Sequence, residues 1–223
     1  MKLPMEVKEK AIRLRQEGKT YREIIEEIPS LSKSTLSSWL KNLRLSVQEQ
    51  EYLERRVKEI GYNARVRAAW TKKLKKQRRI QKIIHDAKNE FLQYINDPFF
   101  LIGLPLYWAE GNRKQEAVQF TNSDPVAIKL MLNWLVRYCQ ITKQDVKIRL
   151  YIHKIYADKQ CEKFWSKITG IPLDNFQRTI YKPTPHKIKK NPEYKGCVQL
   201  RVLRVNLFWR IMGWIEALKE NFV

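Results

Sequence analysis

The chain has 223 residues, with 44 Lys and Arg against 23 Asp and Glu, a formal net charge of +21. That length allows one good core and a small accessory domain, and the excess of cations points to a polyanionic partner. Three widely spaced cysteines without a CxxC pair, and no apolar run long enough for a bilayer, argue against a disulfide scaffold and a membrane protein. The expectation is a soluble cytoplasmic protein, associated with the nucleoid if the host is a prokaryote. The positive charge is spread along the whole chain rather than gathered in one tail.

Residues 4–17 carry Val7, Ala11, Ile12 and Leu14 at helical spacing, and Gly18 stops them. Thr20 caps a second helix, with Glu23 completing a capping box and Ile24, Ile25 and Ile28 as the inner side. Ser32 caps a third, residues 33–43, with Leu36, Trp39, Leu40 and Leu43 inward. The phrase GKTYREIIEEIPSLSKSTLSSWL resembles the helix-turn-helix of transposases, resolvases and phage terminase small subunits. That resemblance implies DNA contact by Lys33, Ser34, Thr35, Ser37 and Ser38. A three-helix bundle that binds protein is the alternative. The first domain is set at 1–45.

Residues 46–96 lack proline and hold one glycine, Gly61, which predicts one or two long helices linking the domains. Leu53, Val57, Ile60 and Ala64 form one stripe, and Ile80, Ile84, Ala87, Phe91 and Ile95 another. The block between them, residues 70–79, includes Lys72, Lys73 and Arg78, which are candidates for phosphate contact. A solvated linker fits the same block.

From Asp97 an apolar run ends in an acid and a glycine, FFLIGLPLYWAEG. Asp97-Pro98 is a helix start and Gly111 a helix stop, so the run predicts a buried helix that delivers Glu110 to its carbonyl end. An acid is unfavourable there unless a cation is near. Pro105 is expected to kink the helix or open a 3₁₀ turn.

Residues 103–111, GLPLYWAEG, resemble the nine-residue motif of LAGLIDADG homing endonucleases, matching at Leu106, Ala109, Glu110 and Gly111. Pro105 replaces a glycine of the motif and Trp108 its first acid. The resemblance implies Glu110 as ligand of Mg2+ (or Mn2+), and Asn122 of FTNSD as the amide that orients water. With one motif per chain it also implies a homodimer on double-stranded DNA, packed through residues 98–110 with Gly103 and Ala109 near the axis.

Beyond the motif the pattern predicts strand 117–121, helix 125–139, strand 146–153, helix 158–169, strands 176–181 and 197–205, and helix 206–222. The fold class is α+β: an N-terminal three-helix unit, a basic helical linker, and a mixed α/β saddle domain over 97–223. In the family such a sheet lies over the duplex, so Lys147, Arg149, Gln177, Arg178, Gln199 and Arg201 become candidates for the DNA side, with Arg113 nearby. Lys187, Lys189, Lys190 and Arg201 are candidates to stabilise transition-state charge. The residues show no glycine loop for a nucleotide cofactor and no Ser/His/Asp set. The expected function is a site-specific endonuclease dependent on a divalent metal, and the alternative is a non-cleaving transcriptional regulator of the same fold.

Overall fold

The computed structural model describes residues 4–156, 159–183 and 193–222. The elements are α1 (Met5–Gln16), α2 (Tyr21–Glu27), α3 (Lys33–Leu40), α4 (Val47–Tyr94), α5 (Pro98–Glu110), β1 (Val118–Asn122), α6 (Pro125–Tyr138), β2 (Lys147–His153), α7 (Lys159–Thr169), β3 (Phe176–Lys182), β4 (Cys197–Val202) and α8 (Val205–Phe222). Mixed α+β is therefore the fold class. Contacts divide the chain into two compact units, Met1–Lys75 and Lys76–Val223, and the boundary falls inside α4.

In the first unit α1, α2 and α3 enclose Ala11, Leu14, Ile24, Ile28, Leu31, Leu36 and Leu40. Both expected caps form. The Thr20 hydroxyl accepts from the Glu23 amide while the Glu23 carboxylate accepts from the Thr20 amide at 2.7 Å, and Ser32 Oγ accepts from the Thr35 amide. These bonds satisfy orphan donors at each helix start and fix where the helices begin. Arg56 of α4 donates to Glu23 at 2.7 Å, and the Thr20 amide bond, with that ion pair beside it, holds the Glu23 carboxyl below its ordinary range. The stripe expected at the start of the linker is realised at one of its four positions. Leu53 is buried, but Val57, Ile60 and Ala64 are exposed.

The second unit has a core of helices packed on one face of a four-stranded sheet of order β1-β4-β2-β3. The β1–β4 and β4–β2 pairs are antiparallel, and the edge pair β2–β3 is parallel, joined through α7. Before β1 the chain makes a single isolated bridge between Gly111 and Phe120. Ala87 and Phe91 bring the end of α4 into this core, and Ile84 is buried on the same helix with its backbone beside Gly213 of α8. There Glu90 takes the Arg210 guanidinium on both oxygens and accepts from Trp214 Nε1 at 3.2 Å.

Helix α5 is held at both ends. Asp97 Oδ1 accepts from the Phe99 amide at 3.0 Å, and its Oδ2 accepts from the Tyr138 hydroxyl at 2.6 Å and from Arg137. One carboxylate therefore caps α5 and ties it to the end of α6. Phe100 stacks against Trp134, with Tyr138 and Trp214 edge-on to it at 5.0 and 5.2 Å. Such pairs add about 0.5–1.5 kcal/mol each beyond area burial. The helix stays α-helical from Pro98 to Glu110, so no 3₁₀ turn opens at Pro105. Gly111 does end it, but with φ −79° and ψ 157°, not in the left-handed conformation of a glycine C-cap. Glycine is needed there for space: a Cβ would lie 2.4 Å from the Tyr107 carbonyl and 2.9 Å from its ring.

Candidate nucleic-acid interface

The sheet has an apolar face and a polar face, set by strict alternation in β2 and β4. Ile148, Leu150, Ile152, Val198, Leu200 and Val202 are buried beneath the helices. The register assigns the partners on the other face. Gln119, Arg201 and Lys147 lie in one row, and Thr121, Gln199, Arg149 and Gln177 form a second that crosses all four strands. Cys197, Tyr151 and Ile180 make a third row, and His153 lies beside Lys182. This face carries Lys147, Arg149, Arg201, Lys182 and His153, and no acid at any of the paired positions. Arg178 falls where the β2–β3 register shifts and is exposed.

Amides organise the middle of the face. Gln119 Nε2 donates to Gln115 Oε1 at 3.0 Å, and Gln199 Nε2 donates to Thr121 Oγ1 at 3.3 Å. Tyr151 OH donates to Gln199 Oε1 at 3.5 Å, and Lys147 Nζ donates to Asn175 Oδ1 at 3.0 Å. Against this order, Arg149 Nε, Arg201 Nε and Gln177 Oε1 are buried without a hydrogen-bond partner among the described residues. A buried polar atom left unpaired costs about 1–3 kcal/mol, so the face carries polar groups that its own fold does not satisfy.

Glu110 ends α5 in an exposed position and has no ion-pair or hydrogen-bond partner among the described residues. The loop that follows is tied by Asn112, whose Nδ2 donates to the Gln115 and Ala117 carbonyls and whose Oδ1 accepts from the Lys114 and Gln115 amides. Tyr107, buried below, donates to the Asn112 carbonyl at 3.2 Å, and burial pushes its phenol well above the usual range. Gly111 bridges Phe120, so Glu110 and Asn122 stand one and two residues from a single backbone bridge. Asn122 Oδ1 accepts from the Asp124 amide at 2.9 Å. Arg113 is exposed in the same loop.

Gly103 is buried against its own chain, where a Cβ would lie 2.1 Å from Trp134 Cδ1. It does not reach an outer face of α5. Ile102, Pro105 and Ala109 do, with Ile102 56% exposed.

On α3, Lys33, Ser34, Ser37 and Ser38 are exposed and Thr35 is half-buried. The Ser34 and Thr35 hydroxyls both bond to Ser32 Oγ, at 2.9 and 2.8 Å, so they take part in the cap. Lys72, Lys73 and Arg78 are exposed on α4. Lys187, Lys189 and Lys190 lie outside the described residues.

The sequence reading passed over Gln119, Thr121, Tyr151 and Lys182 of the sheet face. Gln119 and Thr121 alternate with Val118 and Phe120, and that signal was available. Tyr151 and Lys182 needed the register.

No helix among the described residues is long and apolar enough to cross a membrane. No group of three His, Cys, Asp or Glu side chains placed to hold a metal occurs among them. Comparison with known protein families, curated proteins and solved structures finds no match to this chain.

Proposed function

We infer that the protein binds double-stranded DNA as a homodimer and cleaves it as a metal-dependent endonuclease of LAGLIDADG type. The observation that carries the reading is the acid-free sheet face with its unpaired arginine and glutamine atoms. Arginine forks and amides are the groups that read base edges in a major groove, while lysines fix register on phosphates. The unpaired atoms are met when such a ligand is bound.

The bare stripe of Ile102, Pro105 and Ala109 suits packing of α5 against its copy about a twofold axis, which would bring two Glu110 side chains together. A carboxylate without a partner, beside the carbonyl end of a helix, fits a hard cation such as magnesium in kind. In number it does not suffice, since one chain offers one such acid, and the dimer supplies the second. Bound there, the metal would supply Lewis acidity at the scissile phosphate and a more acidic water. Asn122 spends its oxygen on the Asp124 amide and keeps Nδ2 to hold a water or phosphate oxygen. In the first unit a helix-turn-helix role for α1–α3 leaves Lys33, Ser37 and Ser38 for DNA.

The second reading is a regulator that binds without cutting. Trp108 favours it, standing where the family has its first acid, with the Lys219 ammonium 5.0 Å over its ring.

The experiment is incubation of the full chain with DNA carrying randomised sites, in magnesium and in manganese. Glu110→Gln keeps shape and removes charge, so cleavage should vanish while DNA affinity is kept or rises as repulsion from phosphate is relieved. A wild type that binds its site, never nicks it in either metal and is indifferent to Glu110→Gln refutes the nuclease reading and leaves the regulator.

A further inference from the structure

The middle of α4 shows a surface that neither the sheet face nor α3 accounts for. Residues 62–75 are exposed all round the helix, and the sequence has no acid between Glu59 and Asp86. Within the first unit that stretch carries Arg65, Arg67, Lys72, Lys73 and Lys75, and no carboxylate offsets their repulsion. Among them stand four large apolar side chains at i+4 spacing: Tyr62, 61% exposed, Val66, 49%, Trp70, 58%, and Leu74, 38%.

The spacing limits what can cover this stripe. At about 100° per residue, each step of four advances the stripe by about 40°, so Leu74 points about 120° away from Tyr62, with about 18 Å of rise between them. Lys73 lies angularly inside the stripe, with its ammonium 5.4 Å from the Trp70 ring, so a bilayer that took the stripe would have to take a cation with it. A coiled-coil partner follows a repeat of about 3.5 residues and winds the other way. A second copy brings like charge. Duplex DNA presents phosphates to such a helix and would leave the rings wet. The complementary ligand is a flexible polyanion with apolar faces of its own.

We propose that residues 60–75 of α4 bind single-stranded nucleic acid, with bases stacked on Tyr62 and Trp70 and phosphates met by Arg65 and Arg67, which flank the stripe, and by Lys73 within it. Base–aromatic stacking on a cationic track is sequence-tolerant, so this surface adds affinity for unpaired strand without selecting a sequence. It does not rest on cleavage or on the sheet face.

The test is fluorescence anisotropy of the full chain with labelled oligothymidylate and with a duplex at the same salt. Tyr62→Ala/Trp70→Ala should weaken oligothymidylate binding by about 5- to 150-fold for each ring and leave duplex binding unchanged. Trp70→Phe should restore most of the loss at that position. All three substitutions are at exposed positions, and far-UV circular dichroism checks that α4 remains helical. Arg149→Gln/Arg201→Gln on the sheet should leave oligothymidylate binding intact, which separates this surface from the other. Indifference to the alanine pair overturns the proposal, as does loss of oligothymidylate binding in the sheet variant. So does ring-dependent capture by phosphatidylserine vesicles in place of oligothymidylate.

Discussion

Replacing Arg149 and Arg201 together by glutamine separates binding from folding on the sheet face. Each arginine has a buried Nε without a partner among the described residues, so the fold gains nothing from those donors. Removing them should leave the melting temperature unchanged or raise it. Binding should respond in the opposite sense. If both guanidiniums neutralise phosphates, the slope of log affinity against log salt should fall by about 1.8, from about 0.9 per contact. Between 50 and 200 mM salt the wild type would then lose about tenfold more affinity than the variant. If they read bases instead, the slope should hold while discrimination drops by about 1–3 kcal/mol per position. Anisotropy titrations on one duplex at several salt concentrations, beside a thermal melt, measure all of these quantities. A folded variant with wild-type affinity, salt slope and discrimination refutes the sheet face as the DNA surface.

Gly103→Ala drives a methyl into Trp134, whose Nε1 donates to the Phe100 carbonyl at 3.2 Å. Overpacking of about 1–3 kcal/mol should exceed the gain in helix propensity, at most about 1 kcal/mol, and lower the melting temperature by calorimetry. A rise would show that the α5–α6 approach is loose. Ile102→Glu adds charge to the bare stripe of α5 without touching the core, and should convert a dimer to monomer in light scattering. If Ile102→Glu remains dimeric, α5 is not the interface. The Tyr138 hydroxyl, with the Phe100 and Phe99 amides and Arg137, holds the Asp97 carboxyl below its ordinary 3.8. A depressed folded pKa stabilises above the unfolded value and is lost as pH falls through the folded one. Wild-type stability should therefore drop below about pH 4 more steeply than that of Asp97→Asn, followed by urea denaturation across pH.

Much of the fold was legible because its signals are local. Thr20, Ser32, Asp97 and Asp124 each bond an amide two or three residues on, so four helix starts follow from short-range chemistry alone. Alternation marked two strands, at 146–153 and 197–205, and their basic sides before any pairing was known, although the second ends at Val202. For the site, the sequence supplied Glu110 at a helix end and the cations of the sheet.

The tertiary structure decided which of these groups meet. Strand order β1-β4-β2-β3, with a parallel β2–β3 edge, depends on pairing between segments far apart, and no local preference encodes it. That order aligns Thr121, Gln199, Arg149 and Gln177 and exposes the absence of acids among them. Gly103 offered the same blank side chain to a dimer axis as to a neighbouring helix, and Trp134 claimed it because α6 packs there. Likewise the basic block over residues 70–79 reads equally as a phosphate contact or a solvated linker until the fold is known. Its exposure follows from where the neighbouring elements end, and one-dimensional periodicity cannot contain that.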